Sequence, residues 1–333
     1  MNSPLKRLLA VTTACIATPP AFSHHSSAPF DPEAPATITG VVTAYEWANP
    51  HGYISVRAEG DAPGAEPWVI EGGPPNLLRR AGWAPTTLRE GDRVSLAVFS
   101  ARDPESRAAF LAPSQSADGL LADTRPYFEA VTDAAPIGAA ESIFGVWAGV
   151  RAPAAMASAE WPLTDAARRQ LDAFRDIDSP SVDCTPLPAP SAMTFPDFKQ
   201  IENAGDTIVI RSGFDNTVRT VAMTDSAAPG NEYSVHGYSV GRWDGGVLII
   251  ETSRFETHRS GNGFGIPSSR SKRLVERLSL DDGGQSLSYE FELTDPEIFT
   301  EPVIRQMTWV YRSDVSYAAD ECDPDNARRF LDY

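Results

Sequence analysis

From residue 206 onward, apolar and polar residues alternate in at least seven short stretches. These stretches are "DTIVIRS", "TVRTVAM", "EYSVHGYSVGRW", "GVLIIETSRF", "SKRLVERLSL", "QSLSYEFELTD" and "VIRQMTWVYRS". The dipeptides Asp244-Gly245 and Asp282-Gly283 are typical of tight hairpin turns. When every second residue is apolar, one face of each strand is directed toward a core. Open sheet edges can pair with other chains, which favours a closed sheet. We therefore predict that residues 206–333 form an antiparallel β-meander, closed as a barrel or sandwich.

Strand patterns also occupy the first third of the chain. "TITGVVTAYEW", "YISVRAE" and "EPWVIEG" predict three strands, and "PPNLLRRAGW" predicts a short helix after Pro75. "LREGDRVSLAVFSA" and "AAFLAPSQ" predict two more strands. This order predicts an OB-like five-stranded barrel over residues 35–117, so the whole chain is expected to be mainly β. Residues 118–205 are rich in Ala and Pro and predict a connector with one short helix, whose N-cap is Thr164.

The N-terminal residues have the layout of an export signal. A basic pair precedes the apolar run from Leu8 to Ala17, and small residues follow it. Ala21 and Ser23 hold the third and first positions before a cut, so we expect residues 1–23 to be removed and the mature chain to begin at His24. A cut after Ala21 is the alternative. The apolar run is shorter than the ~20 residues that a membrane span needs, so we expect no membrane span. Together with the export signal, this predicts a periplasmic or secreted protein.

Charge limits the partners of such a protein. The chain has 28 basic and 45 acidic side chains, and its formal net charge is -17 at pH 7. An acidic surface repels phosphate backbones and anionic lipid headgroups, so we expect no nucleic-acid partner. It attracts cations instead.

Two of the three cysteines, Cys184 and Cys322, lie outside the predicted signal. In an oxidising compartment such a pair predicts one disulfide, and two free thiols are the alternative.

The predicted cut falls directly before two adjacent histidines, out of five in the chain. Once freed, His24 offers its ring nitrogen and an α-amine, whose pKa is ordinarily about 7.7. A further imidazole would complete a three-nitrogen site called a histidine brace, which suits Cu(II). His51, in the turn "NPHGY", and His25 are the candidates. We therefore predict a metal site formed by His24, His51 and His25, with copper as the first choice and zinc as the alternative.

The predicted arm, residues 24–34, must reach His51. If it joins the first strand at the far end, it must run back past about ten residues, or ~33 Å. The thirteen residues before the strand pattern, 24–36, can span ~43 Å only when nearly extended. The alternative interpretation is that "HHSS" is a loose tail and that His51 is an ordinary turn residue.

Several motifs together resemble an uncharacterised family of exported bacterial proteins whose mature chains begin His-His-Ser. These motifs are "HHS" at 24–26, Phe30-Asp31, "TGVV", Trp47, "NPH" at 49–51, "LLRRAGW" and "LREGD". The resemblance covers residues 21–110 and implies that the histidines and "NPH" form one signature; it brings no established reaction. In the family an aromatic residue usually follows His-His-Ser sooner than Phe30 does here. The second half, with "GYSVGRWDGGVLIIET" and "LTDPEIFTEPV", looks like a domain of similar exported proteins.

Two further functions remain open from the sequence. His236, Trp243 and Trp309 lie on or beside predicted strands, and they would suit a barrel that binds a small apolar or carbohydrate ligand without catalysis. Ser239 stands in Gly237-Tyr238-Ser239-Val240-Gly241, which matches the G-x-S-x-G motif of serine hydrolases. That motif requires a strand that turns sharply into a helix, whereas "RWDGGVLIIET" predicts a hairpin. The sequence therefore leaves open whether the protein is an enzyme.

Overall fold

The computed structural model describes residues 30–80, 82–112, 135–149, 161–195, 197–213, 217–223, 232–263 and 265–330. Within these residues the chain is mainly β and forms two closed barrels, of five and nine strands, with one separate two-stranded sheet. This confirms the predicted fold class, an N-terminal five-stranded barrel followed by a β-meander barrel. None of the helices in the described ranges is long and apolar enough to cross a membrane.

The first barrel contains five strands and one helix. They are β1 (Phe30–Glu46), β2 (Tyr53–Ala58), β3 (Trp68–Glu71), helix α1 (Pro75–Arg80), β4 (Arg93–Ala101) and β5 (Ala108–Leu111). The strands follow one another around the barrel in the order β1-β2-β3-β5-β4. β3 and β5 run parallel, and the other pairs are antiparallel. Alternate residues such as Val94, Leu96 and Val98 fill the interior.

Strand β1 begins seven residues earlier than the sequence pattern predicts. Phe30 pairs with Ala101 at the end of β4, and the register shifts between Phe30 and Pro35. The intervening "DPEAP" has no alternation, and its prolines cannot donate to a strand ladder, so the sequence conceals this extension. The start of β1 is thereby fixed beside the end of β4.

The second barrel and its hairpin use the remaining strands. They are β6 (Gly145–Gly149), β7 (Phe198–Asn203), β8 (Thr207–Ser212), β9 (Thr217–Ala222), β10 (Tyr238–Asp244), β11 (Val247–Ser253), β12 (His258–Gly263), β13 (Ile266–Ser268), β14 (Arg273–Leu280), β15 (Ser286–Thr294) and β16 (Val303–Tyr311). The barrel order is β10-β11-β14-β15-β16-β6-β7-β8-β9, and β12 and β13 form the separate sheet. The barrel closes where β9 and β10 pair in parallel.

Two of these nine strands, β6 and β7, come from the predicted connector. The sequences "GVWAG" and "FKQIEN" lack a clean alternation of apolar and polar residues, so neither predicts a strand alone. They become strands because β16 and β8 offer edges to pair with.

The predicted helix of the connector is present, and the Thr164 hydroxyl caps it by accepting a hydrogen bond from the Ala167 amide at 3.2 Å. That connector helix spans Asp165–Asp172. The other helical segments are Ser191–Thr194, Pro324–Ala327 and the 3₁₀ turns Asp176–Asp178 and Pro180–Asp183.

Cys184 and Cys322 are bonded, with a sulfur–sulfur distance of 2.08 Å, as the sequence predicts. Cys184 follows the turn Pro180–Asp183, and Cys322 lies in the segment after β16. The bond therefore ties the C-terminal segment to the part of the chain that precedes β7.

This bond predicts a simple chemical result. The chain from His24 onward, denatured without reductant, should show no free thiol in a maleimide labelling assay, because both of its cysteines are joined. After reduction the same assay should find two thiols. Two thiols before reduction would contradict the disulfide.

Candidate metal-binding site

His51 lies in the turn between β1 and β2, at the rim of the first barrel. Its Nδ1 atom is 3.3 Å from Oε1 of Glu71, the last residue of β3. The Glu71 side chain is 1% exposed and the His51 side chain 17%. A carboxylate beside Nδ1 favours the tautomer that carries its proton there, which leaves Nε2 with a lone pair. This is the arrangement that orients many metal-binding histidines.

Glu71 belongs to a row of side chains on the outer face of the barrel. It pairs with Tyr53 across β2 and β3, and with Phe110 across β3 and β5. Partners in register project to the same face of a sheet. The preceding residue, Ile70, belongs to the barrel core, so this row points away from the core. Tyr53 and Glu71 are nevertheless buried, which means that another segment covers this face.

The first described residue of the chain, Phe30, lies on the same face. Its ring is 5.9 Å from that of Phe110 and 5.6 Å from that of Phe330. The Phe330 ring is in turn 5.6 Å from the ring of Tyr53. The arm therefore enters β1 close to the His51 turn, because the extension of β1 places Phe30 beside β4 and β5. The long route of ~33 Å considered from the sequence is not needed.

His24 and His25 lie outside the described residues. Within the described part of the chain, no group of three or more His, Cys, Asp or Glu side chains could hold a metal ion.

Residues 12–109 match the model of a family of unknown function, DUF6152. The matched segment contains His24, His25 and His51, and it agrees with the resemblance to an uncharacterised family seen in the sequence. No curated protein matches the chain.

The second barrel has a charged centre that the sequence does not reveal. Arg219 on β9 donates from Nη1 and Nη2 to the two carboxylate oxygens of Glu276 on β14, at 2.8 and 2.5 Å. Its Nε donates to the Ser239 hydroxyl at 3.0 Å, and Nη2 also donates to the Thr252 hydroxyl at 2.5 Å. The Tyr289 hydroxyl donates to Glu276 at 2.8 Å. All five side chains are buried, so five adjacent strands each contribute one polar group to a single network.

The pKa values of this network follow from its burial. Burial alone would lower the pKa of Arg219, but the charge and hydrogen bonds of Glu276 raise it above its ordinary value. Burial also raises the pKa of Tyr289 well above its usual range, and the neighbouring Glu276 adds to this. Arg219 is therefore charged and Tyr289 protonated at neutral pH, so the network keeps its bonds.

His236 lies in the turn before β10, and His258 is the first residue of β12 in the separate two-stranded sheet. Burial lowers the pKa of His236 to about 4, with further contributions from Arg219 and Lys272. Burial, Lys272 and Arg259 lower the pKa of His258 to about 4 as well. The His258 Nδ1 accepts a hydrogen bond from the Ser260 amide at 3.0 Å, as expected of a structural histidine. Neither residue is brought to His51, which lies on the first barrel.

The structure does not bring the two candidate tryptophans together. Trp243 lies at the end of β10 and is 46% exposed, whereas Trp309 is fully buried. Trp309 stacks on Tyr289, with ring centroids 4.9 Å apart. Its position is that of a core residue, while Trp243 lies on the outer surface.

Ser239 lies within strand β10, and its hydroxyl is buried between Arg219 and Thr252. The residues that follow it complete β10 and lead by a tight turn into β11. A nucleophile elbow needs a helix at this point and an exposed hydroxyl. The described geometry therefore favours a structural role for Ser239.

Sequence reasoning missed Glu71, whose carboxylate lies 3.3 Å from Nδ1 of His51. One signal was present, since "WVIEGG" ends a mostly apolar strand with a carboxylate. A charged residue buried at a strand end usually has a partner. Its partner could not be identified without the barrel, because β2 separates the two residues in sequence.

Proposed function

We propose that the protein is exported and that its first barrel binds one divalent metal ion at the mature N-terminus. Copper is the first choice and zinc the alternative. His24 would supply its α-amine and ring nitrogen, His51 would supply Nε2, and His25, the residue after His24, is the further candidate ligand. The observation that supports this most is the position of Phe30 on the same face as Glu71, whose carboxylate contacts His51.

The reach of the arm supports the proposal. Six residues, 24–29, precede Phe30 in the mature chain and can extend over about 20 Å. Two ring contacts of 5.6 Å lead from Phe30 through Phe330 to Tyr53, which is two residues from His51. The arm is thus long enough to return to His51 without being fully extended.

Glu71 has a defined part in this proposal. Its carboxylate would accept a hydrogen bond from Nδ1 of His51, hold the ring in place and leave Nε2 for the metal. Its negative charge also offsets part of the charge of a cation. The methionines outside the predicted signal are scattered in sequence, not clustered as Cu(I) ligands would be. This favours a fixed metal site, structural or redox, over a copper shuttle.

The His51→Ala variant tests the barrel half of this site. In a chain that begins at His24, we expect the variant to bind Cu(II) at least about tenfold more weakly, because even outer-shell changes weaken metal sites by 10–100-fold. The measurement is a competition titration against a chromogenic chelator. His236→Ala is the matched control, and it should leave the affinity unchanged, because His236 lies in the turn before β10, near Arg219 of the second barrel. Equal affinities of the His51→Ala variant and the parent chain would refute a role for His51.

A further inference from the structure

The C-terminal segment, residues 318–330, is docked on the turn that carries His51. The Asp323 amide donates to the Asn49 carbonyl at 2.8 Å, and Asn49 and Cys322 form an isolated parallel bridge. The Asn49 side chain donates from Nδ2 to the Asp320 carbonyl at 3.3 Å. Asn49 is buried, so these bonds fix the residue that stands two positions before His51.

The same segment is held at a second point near the turn. Arg79 on α1 forms a two-bond ion pair with the Asp320 carboxylate, and one of these bonds measures 2.7 Å. The Arg79 guanidinium also lies over the Trp47 ring, 5.2 Å from its centroid. Bidentate Arg–carboxylate pairs fix both position and orientation. The residues just before Pro50-His51 are therefore held in place, Asn49 by the C-terminal segment and Trp47 by Arg79, which pairs with that segment.

A third group of contacts holds the far end of the segment. The Tyr53 hydroxyl donates to the Asn326 carbonyl at 3.0 Å, and Arg329 pairs with Glu46 at 2.6 Å. The Arg329 guanidinium lies 4.2 Å from the centroid of the Tyr53 ring. The segment thus covers the outer face of the barrel on which Tyr53 and Glu71 lie.

Cys322 stands in the middle of these contacts and is bonded to Cys184, 138 residues earlier in the chain. A cross-link between residues so far apart along the chain removes much of the conformational entropy of the segments that it joins. It keeps the C-terminal segment at a high effective concentration beside the first barrel, where the ion pairs alone are partly exposed and individually weak.

We propose that the Cys184–Cys322 disulfide positions His51 for metal binding by holding the C-terminal segment against Asn49. The inference rests on the proposed function. When the bond forms, the two thiols lose two protons and two electrons to an external disulfide, which becomes two thiols. The metal site is therefore completed by oxidation, and the reduced chain binds metal more weakly. Cys184, Cys322 and Asn49 act as positioning residues and touch no metal.

The test compares the chain from His24 with a Cys184→Ser/Cys322→Ser variant, which also avoids copper-catalysed thiol oxidation. We expect faster hydrogen exchange at the Asp323 amide, Cu(II) affinity lower by about tenfold, and one fewer coordinated nitrogen in the electron paramagnetic resonance spectrum. Asn49→Ala, which keeps the disulfide, should lower the affinity similarly. The variant that combines Asn49→Ala with the two serine substitutions should lose little further Cu(II) affinity, because both changes act on the same contact. Arg242→Gln, at an exposed ion pair of the second barrel, is the control and should change none of these.

Two outcomes separate this inference from the proposal on which it rests. Equal Cu(II) affinity and identical spectra in the parent and the serine variant would overturn the positioning role alone. Absence of tight Cu(II) binding in the oxidised parent chain would overturn the proposed function, and the inference with it.

Discussion

Replacing Glu276 with alanine should lower the free energy of unfolding by about 3–5 kcal/mol, since removal of one partner leaves a buried charge uncompensated. Arg219 would keep its charge inside the second barrel while losing both carboxylate bonds, and Tyr289 would lose its acceptor. Urea unfolding, followed by tryptophan fluorescence, measures the change. Trp309 is a suitable reporter, because it stacks on Tyr289.

Glu290→Ala is the matched control. It is one residue beyond Tyr289 on the same strand, and it pairs with Arg277 across the neighbouring strand at 3.1 Å. Both of these side chains are partly exposed, so the expected loss is below about 1 kcal/mol. Similar losses in the two variants would contradict a special role for the buried network.

Much of the fold could be predicted because its strands alternate clearly. β15 is the plainest case, since every second residue from Leu287 to Leu293 is buried. β6 and β7 could not be predicted, because their identity as strands depends on the edges of β16 and β8. The β12–β13 hairpin was missed for a related reason: "HRSGNG" is polar and rich in glycine, and its buried side chains are the polar His258, Ser260 and Asn262.

The charged centre of the second barrel shows where alternation fails as a guide. In "TVRTVA" either face of the strand carries one valine, so the pattern does not decide which face is buried. The structure buries Arg219 and leaves Val218 44% exposed. The decisive partner, Glu276, is 57 residues away, and only the barrel brings it within hydrogen-bonding distance.

The candidate metal site could be predicted only in part, because some of its contacts also join residues that are far apart in the sequence. His51 could be found from its turn, whereas Glu71 and the C-terminal segment meet it only through long-range contacts. His24 and His25 rest on the sequence and on the predicted cut. What the structure adds is the location of Phe30, which shortens the path that the arm must follow.

The central claim is that the α-amine of His24 is a metal ligand, and selective acetylation of that amine tests it most directly. The lysines outside the predicted signal are Lys199 and Lys272, and both are fully buried, so in the folded chain neither lysine competes with the α-amine for the reagent. An acetylated amine is an amide, which is not basic and cannot donate its lone pair to a metal without losing a proton.

The measurement is a Cu(II) competition titration of the chain from His24, free and acetylated, with mass spectrometry to confirm a single modification. We predict one tightly bound Cu(II) in the free chain and an affinity at least about 100-fold lower after acetylation, since a direct ligand is lost. In the acetylated chain, His51→Ala should weaken binding much less than it does in the free chain, because the two ligands act together. Equal Cu(II) affinity of the free and acetylated chains would show that the terminal amine binds no metal and would contradict the account.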